Sequence, residues 1–397
     1  MSAAENNQNT YNILGASSTK EEVHKAISKL DRGIYTGAFC KLIADPAGDP
    51  DWCAAMHADG AGTKSSLAYL MFRETGDFSV WRGIAQDSLV MNLDDLLCVG
   101  ATGGFVLSNT IDRNAHLVDG RAITEIIAGY ADFIDTLAEY GIDIQMSGGE
   151  TADVGDLART VIVNSTLFMR MRREDVINCD NIRPGDVIVG LASYGQCRYE
   201  KSYNSGMGSN GLTAARHLLL SNAYAEKYPE TYSPTIPKEK VYCGSFKVTD
   251  PLSGTGVSVG AAILSPTRTY APVIKDILDT FRPSIHGIIH CTGGGLVKCR
   301  GFGRGVKYVK DDLIDVPPLF RAIYETGSIS LKEMYQTFNM GCRLEIIVPE
   351  SAAYGILEIA RKYEIAAKIV GRVEGQAGGD ENSVEIHDRI EGRIFRY

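Results

Sequence analysis

Three aspartates lie within an otherwise apolar stretch, and burying them is costly unless a cation offsets their charge. The stretch runs from Ile84 to Gly100 and reads IAQDSLVMNLDDLLCVG. Asp87 and Asp94 are separated by seven positions, so on a helix they share a face, and Asp95 lies beside them. The pattern therefore predicts a buried helix with an acidic site. Magnesium is the expected cation if a phosphate site lies nearby.

A second segment has the features of such a phosphate site. Residues 56–64 read MHADGAGTK and follow an apolar run that begins at Trp52. Glycines let backbone amides approach a phosphate, and Lys64 adds a positive charge after the lone acid Asp59. The alternative is an ordinary Asp-Gly turn. The segment does not match the nucleotide P-loop, which needs a longer spacing before its Gly-Lys pair. Spacing alone leaves both interpretations open.

Composition limits the class of protein. A chain of 397 residues is long enough for two domains. The net charge of −9 and the absence of Lys/Arg runs argue against a nucleic-acid partner. Nine scattered cysteines without C-x-x-C spacing favour reduced thiols over a zinc or redox site. Without a signal peptide or a membrane-length apolar run, we expect a soluble cytoplasmic enzyme with no membrane partner.

Hydrophobic periodicity predicts a mixed α and β order without the regular alternation of a doubly wound sheet. The turn-rich segment Asn181–Asp186 predicts a domain boundary. A loop is expected over Ser193–Gly211, a surface excursion over Glu226–Ser245 and a helix over Thr19–Leu30. Further strands are expected at 52–56, 104–107, 142–146, 160–171, 187–191, 285–290, 343–348 and 366–373, and further helices at 84–99, 119–140, 212–220, 270–280, 317–326 and 352–363.

Two glycine-rich segments are further candidate sites. Glu150 and Thr151 follow Ser147-Gly148-Gly149, where Glu150 would complete a metal site or contact a ribose. The alternative is a glycine turn with an exposed acid. The cluster Gly293–Gly295 follows His290 and Thr292 and would let backbone amides meet a second anion. The alternative there is a close helix approach that needs small residues.

The remaining polar residues are less specific. Asn339 lies between apolar neighbours, where an asparagine is more often a satisfied core amide or turn former than a ligand contact. His57, His286 and His290 border expected strands, and each is expected to be structural. Neither a Ser-His-Asp nor a Cys-His arrangement follows from the spacing.

The motifs DGAGTK, the acidic helix, GGET, TGGG and MYQTFNMG occur in the order found in the aminoimidazole ribonucleotide (AIR) synthetase family, the phosphoribosylformylglycinamidine cyclo-ligases. The chain resembles that family from about Ala54 to Val373, and TRTY (267–270) and KIVGRV (368–373) add to the match. The resemblance implies an α/β + α+β fold with an ATP-binding domain over 1–183 and an α+β domain over 184–397. It also implies a homodimer whose N-terminal strands pair across subunits in a β-barrel, with ATP in the cleft between domains.

The resemblance carries site roles onto matching positions. Nucleotide contacts are implied for Asp59, Gly60, Gly62, Thr63, Lys64, Glu150 and Thr151. Magnesium ligands are implied at Asp59, Asp87, Asp94 and Asp95. Substrate contacts are implied for Ser209, Asn210, Thr292, Gly293, Gly294, Gly295 and Asn339, and catalytic roles for Lys64, Asp95 and Asn210.

This chain departs from the family pattern at several positions. Gly208 replaces the histidine of the family's HSNG motif, and an insertion of roughly a dozen residues that includes Tyr199 precedes it. Asp94 stands where the family has Asn. The family's LDY is Leu107-Ser108-Asn109 here, so one acid is missing. These changes leave the ATP half largely intact and place the substrate half in question.

The implied activity is ATP-dependent ring closure of a small-molecule substrate, formylglycinamidine ribonucleotide. ATP would phosphorylate the formyl amide oxygen, and an amidine-side nitrogen would then displace phosphate. Replacing Lys64 by Ala or Asp95 by Asn is predicted to abolish turnover without unfolding. Two alternatives remain open: another ATP-dependent phosphoryl-transfer enzyme of the superfamily, such as a selenophosphate synthetase or thiamine-phosphate kinase, and a nucleotide-binding paralogue without catalysis.

Overall fold

Two β-sheets organise the chain, one formed before and one after residue 183. The computed structural model describes residues 10–16, 25–26, 29–376 and 379–397. The first sheet has strand order β1-β2-β5-β3-β4 and is antiparallel except for β3 and β4. Its strands are β1 (Ile43–Ala44), β2 (Trp52–Gly60), β3 (Phe105–Arg113), β4 (Ile144–Asp153) and β5 (Val161–Arg172). The helices of this half are α1 (Thr10–Ile13), α2 (Lys64–Thr75), α3 (Arg82–Leu97) and α4 (Gly120–Ala138).

The second sheet has strand order β12-β11-β8-β10-β6-β9-β7, with only the β8–β11 pair parallel among the described strands. Its strands are β6 (Asp186–Ala192), β7 (Gly287–His290), β8 (Val306–Lys310), β9 (Cys342–Pro349), β10 (Ala367–Gly375), β11 (Ser383–His387) and β12 (Ile394–Arg396). The helices are α5 (Leu212–Leu219), α6 (Ala223–Lys227), α7 (Val259–Leu264), α8 (Ala271–Phe281), α9 (Pro318–Glu325), α10 (Leu331–Thr337) and α11 (Glu350–Lys362). Short 3-10 helices lie at Phe78–Trp81, Arg173–Asp175, Cys179–Asn181, Pro229–Thr231, Lys238–Lys240, Arg282–Ser284 and Gly295–Gly301.

The first sheet is covered on one face only. Alternate side chains of β5, among them Val163 and Leu167, are buried because α3 and α4 pack on that side. On the opposite face Met56 is 69% exposed and Ile162 is 44% exposed. This period-two pattern is typical of a sheet with one face in the core.

Helix α3 is buried on nearly every side. It contacts the first sheet, α4 and the segment that leads into α8, so even its aspartates Asp87 and Asp94 are inaccessible to solvent. The next helix, α4, is amphipathic by contrast. Asp119 caps it by accepting hydrogen bonds from the amides of Arg121 and Ala122.

Most elements expected from the sequence are present, with ends shifted by a few residues. Strand β2 extends beyond the expected end at Met56 as far as Gly60, and the expected loop over Ser193–Gly211 is confirmed. The expected helix over Thr19–Leu30 lies largely outside the described residues. The mixed α and β order is confirmed as well.

Residues 226–245 run over the surface as expected, since half of them are exposed. A few buried side chains, among them Thr231 and Tyr242, anchor the segment to the core. The Tyr242 hydroxyl lies 2.7 Å from Thr231 Oγ1 and accepts a 2.9 Å hydrogen bond from Arg216 Nη1 on α5. The buried hydroxyls of these anchors are therefore hydrogen-bonded within the protein.

Candidate functional site

The DGAGTK turn lies between β2 and α2, at the contact between the two halves of the chain. Strand β2 ends at Gly60, where a Cβ atom would lie 2.1 Å from Asn164 Oδ1, so no larger residue fits. Gly62 has a φ of +59° and is exposed together with Thr63, directly before the first turn of α2. The hydroxyls of Thr63 and Thr213 are 3.0 Å apart. The start of α2 thus presents backbone amides at this contact, as phosphate sites do.

Lys64 points away from that surface. Its side chain is fully buried, and Nζ donates to Asp87 Oδ1 at 2.7 Å and to the Ser265 carbonyl at 2.5 Å. Burial lowers the pKa of Lys64, and the charge of Asp87 opposes that shift. The expectation that Lys64 contacts phosphates is therefore corrected: in this structure it is an internal ion-pair partner.

Asp87 is the other member of the pair and also bonds the segment before α8. Its Oδ1 accepts hydrogen bonds from the Thr267 amide at 2.7 Å and the Thr267 hydroxyl at 2.5 Å. Burial raises the pKa of Asp87, and Lys64 opposes that shift. Asp87 therefore joins α3 to the second half of the chain.

Asp94 makes a similar connection further along α3. Its carboxylate accepts a 2.6 Å hydrogen bond from Thr269 Oγ1 and lies 3.6 Å from Arg343 Nη2. Burial raises the pKa of Asp94 to about 7, while the charge of Arg343 opposes the rise. Burial therefore favours the protonated form of this carboxyl.

Asp95 lies between two histidines. Its carboxylate is 2.7 Å from His290 Nδ1 and 3.3 Å from His57 Nε2. Burial opposes ionisation of Asp95, but the hydrogen bonds to His290 and His57 lower its pKa. Burial also lowers the pKa of His290 to about 4, although its bond to Asp95 opposes this. Both histidines orient the acid, which fits the structural role expected for them.

The four aspartates do not assemble into a magnesium site. Asp59 is exposed, and its Oδ1 accepts a 2.7 Å hydrogen bond from the adjacent Gly60 amide. Asp87, Asp94 and Asp95 each bond to different partners. Across residues 10–16, 25–26, 29–376 and 379–397, no group of three or more His, Cys, Asp or Glu side chains could bind a metal. The expected set of magnesium ligands is therefore corrected: the acids of α3 instead form hydrogen bonds to Thr267, Thr269 and His290 in the second half of the chain.

Glu150 and Thr151 lie on the exposed part of β4, away from the acids of α3. The register places Gly60, Asn164, Thr110 and Glu150 in one row across β2, β5, β3 and β4. Three strand spacings separate Gly60 from Glu150, or about 14 Å. Within one chain, a nucleotide that contacted both would have to cross this face of the sheet.

The SNG and TGGG segments lie close together. A Cβ atom on Gly293 would lie 3.7 Å from Asn210 Nδ2, and both residues are half-buried. The hydroxyls of Ser209 and Thr267 are 3.4 Å apart, and Thr292 Oγ1 accepts a 2.9 Å hydrogen bond from the ammonium of Lys298. Gly294 and Gly295 follow with φ values of +99° and +53°. The structure thus brings most of the implied substrate contacts together.

Asn339 does not present its amide to this surface. Its Oδ1 accepts 2.9 Å hydrogen bonds from Ser193 Oγ and from the Gly341 amide, and its Nδ2 donates to the Gly206 carbonyl at 2.8 Å. The side chain is buried and saturated, so the implied substrate contact is corrected. Asn339 is instead the hydrogen-bonded core amide that was the alternative expected from its apolar neighbours. Its bond to the Gly206 carbonyl anchors the loop before Gly208.

Sequence reasoning missed Arg343 and the roles of Thr267 and Thr269. Arg343 lies on β9 and is 2% exposed, although strand β9 is otherwise almost wholly apolar. An arginine inside such a run is the signal that would have revealed it, because a buried cation needs a partner. Thr267 and Thr269 lie in the TRTY motif, whose hydroxyls bond the acids of α3.

Family models match both halves of the chain. The model described as AIR synthase related protein, N-terminal domain, matches residues 38–170. The model described as AIR synthase related protein, C-terminal domain, matches residues 183–381. Together they cover both β-sheets except for the last two residues of β5 and the strands β11 and β12.

Similar sequences include named cyclo-ligases. The phosphoribosylformylglycinamidine cyclo-ligase of Methanosarcina acetivorans is 30% identical over 392 residues, which cover 96% of this chain and 98% of the relative. The protein of the same name from Methanococcus vannielii is 29% identical over 328 residues, which cover 82% of this chain and 78% of the relative.

Solved structures that resemble this chain share its fold, at sequence identities too low to indicate more than the fold. T. maritima PurL complexed with FGAR has a TM-score of 0.56 at 16% identity, and the match covers 96% of this chain but 49% of PurL, so the chain spans about half of that protein. A chain of the HypE–HypF complex has a TM-score of 0.55 at 14% identity, with 95% and 98% coverage. None of the described helices is long and apolar enough to cross a membrane. By its two matched domains and its near full-length relative, the chain belongs to the AIR synthase related protein family.

Proposed function

We propose that this chain closes formylglycinamidine ribonucleotide to aminoimidazole ribonucleotide at the expense of ATP, in purine biosynthesis in the cytoplasm. The observation that supports this best is the 3.0 Å contact between Thr63 and Thr213. It brings the glycine turn at the start of α2 next to the segment that contains Ser209 and Asn210. A phosphate donor and an acceptor bound at these two segments would be neighbours.

The reaction replaces a poor leaving group by a good one. ATP transfers its γ-phosphoryl group to the formyl amide oxygen, which forms an O–P bond and releases ADP. An amidine-side nitrogen then attacks the formyl carbon that carries this oxygen, and the C–O bond breaks as phosphate leaves. Such transfers depend mainly on positioning and charge stabilisation. In our proposal Gly62 and Thr63 bind the nucleotide phosphates through backbone amides, and Gly60, whose amide donates to Asp59 Oδ1, shapes the turn before them.

The acceptor would be bound by the opposite wall of the site. Asn210 and the amides of Gly293 and Gly294 orient the formyl-bearing chain, and Asn210 is the proposed catalytic side chain there. Asp95 acts as a positioning residue, because its carboxylate contacts both His57 on β2 and His290 on β7 and so fixes the two side chains relative to each other. Because the described residues do not assemble a magnesium site, no step is assigned to the metal.

We further propose a homodimer. The uncovered face of the first sheet exposes Met56 and Ile162, and β4 is an edge strand among the described strands. Exposed apolar faces and free edges are the surfaces on which sheets associate. The exposed Glu150 lies on this uncovered face, in the row of Thr110 and Asn164, so association would place this proposed nucleotide contact at the dimer interface. We place the boundary between the two domains after residue 183.

The proposal is tested with purified protein, ATP and formylglycinamidine ribonucleotide, by measuring ADP release and imidazole formation. Asn210→Ala is expected to lower kcat at least tenfold, whereas the exposed control Asp156→Asn should leave it unchanged. ADP release with another acceptor and not with this ribonucleotide would favour a different phosphoryl-transfer reaction. ATP binding in a calorimeter without turnover of any acceptor would favour a non-catalytic paralogue.

A further inference from the structure

Arg343 has a buried guanidinium whose hydrogen-bonding capacity is unused. Its side chain is 3% exposed, and no atom of the described residues accepts a hydrogen bond from Nε, Nη1 or Nη2. A guanidinium carries several N–H donors in a planar fork, and leaving them unpaired inside a protein is unfavourable. Such a group is expected to have a ligand in the working state of the protein.

The groups nearest to Arg343 do not satisfy it. Asp94 Oδ2 lies 3.6 Å from Nη2, beyond hydrogen-bonding distance, and the same carboxylate already accepts from Thr269 at 2.6 Å. The ring of Tyr270 lies below the guanidinium, with its centroid 5.3 Å from Cζ. The Asp94 carboxylate and the Tyr270 ring both stabilise the positive charge of Arg343, but neither accepts a hydrogen bond from its N–H groups. The N–H donors of Arg343 therefore stay available.

The donors lie next to Gly208. A Cβ atom on Gly208 would lie 3.4 Å from Arg343 Nη1 and 3.6 Å from Arg343 Cδ, with Asn339 Nδ2 next at 4.0 Å. Gly208 has a φ of +67°, a conformation that disfavours a side chain. The position at which the family motif has a histidine thus lacks a side chain here, and a guanidinium from β9 lies against it.

Other charged groups around this point are already paired. Lys64 is bonded to Asp87, and His290 is bonded to Asp95. Arg343 is therefore the cation in this part of the described chain whose donors are not engaged. A planar fork of donors matches the oxygens of a phosphate, to which arginine binds with two parallel hydrogen bonds.

We propose that Arg343 binds a phosphate group of the substrates beside Gly208 and so takes the functional place of the side chain that Gly208 lacks. This inference deepens the proposed function and rests on it for the identity of the ligands. The phosphate is either the γ-phosphate of the nucleotide or the 5′-phosphate of the ribonucleotide. Because the guanidinium nitrogens are inaccessible to solvent, groups packed against them, Gly208 among them, have to shift for a phosphate to reach them.

Calorimetry on the full chain separates the two sources of phosphate. In Arg343→Met, a fall of at least tenfold in the preference for the ribonucleotide over its dephosphorylated riboside would assign the contact to the 5′-phosphate. An equal fall in the preference for ATP over ADP would assign it to the transferred phosphate. Arg343→Lys should recover part of the affinity, and the exposed control Arg361→Met should show no change. If both preferences are unchanged in Arg343→Met, the proposal is wrong.

A double variant tests whether Arg343 only neutralises Asp94. Asp94→Asn combined with Arg343→Met removes both charges, so a purely structural role predicts that binding and melting temperature recover together. A phosphate-binding role predicts that the melting temperature recovers while the phosphate preference stays low. Recovery of the preference would overturn the inference. If the wild type shows the preference but makes no imidazole product, the site stands and the proposed function fails.

Discussion

Replacing Lys64 by methionine should destabilise the protein strongly. Methionine preserves most of the side-chain volume but removes the ammonium group, so Asp87 is left as a fully buried carboxylate that has lost its 2.7 Å ion pair. The two Thr267 hydrogen bonds to Asp87 remain. Removing one partner of a buried ion pair typically costs about 3–5 kcal/mol. We expect a loss of that size in the free energy of unfolding, measured by urea denaturation followed by circular dichroism.

Two controls sharpen this test. Lys41→Ala breaks an exposed ion pair with Asp31, whose side chains are 49% and 75% exposed, and should cost at most about 1 kcal/mol. Lys64→Met combined with Asp87→Asn should lose less stability than Lys64→Met alone, because asparagine still accepts from Thr267 without a buried charge. A Lys64→Met protein as stable as the Lys41→Ala control, but without turnover, would refute this reasoning and restore a direct phosphate role for Lys64.

Three further results are expected. Burial raises the pKa of Asp94 to about 7 from an ordinary 3.8, so the folded state binds the proton of this carboxyl more tightly than the unfolded state does. The stability of the wild type, compared with that of Asp94→Asn by thermal melting, should therefore fall as pH rises from about 4 through 7. Met56→Asp should convert a dimer to a monomer in sedimentation velocity, whereas Ile127→Asp, on an α4 surface and 51% exposed in the wild type, should not. A Cβ atom on Gly371 would lie 2.0 Å from a carbonyl of β8, so Gly371→Ala should cost about 3 kcal/mol in urea denaturation, while Gly375→Ala, with 3.7 Å of clearance, should cost far less.

Local pattern was enough to predict much of the fold. The alternation of β5 and the apolar run of α3 predicted both elements, because burial of one face or one helix follows directly from the order of apolar residues. The glycine turn at Gly60–Gly62 was also recognisable, since its backbone demands are local. The polar composition of 226–245 indicated a surface segment, but it did not reveal the buried anchor Tyr242, because the hydrogen bond to its hydroxyl comes from Arg216 on a helix outside the segment.

The partners of the charged groups were decided by tertiary structure. The aspartates of α3 looked like metal ligands in sequence, yet each of them is hydrogen-bonded to a residue more than 170 positions away: Asp87 to Thr267, Asp94 to Thr269 and Asp95 to His290. A buried charge is stabilised by the groups that the fold brings within hydrogen-bonding distance. Those groups can come from any part of the chain, so their separation in sequence does not identify them. The sequence by itself therefore determined which residues must be buried and which turns need glycine. Only the folded chain decided that Lys64 faces Asp87 and that Arg343 lies unpaired beside Gly208.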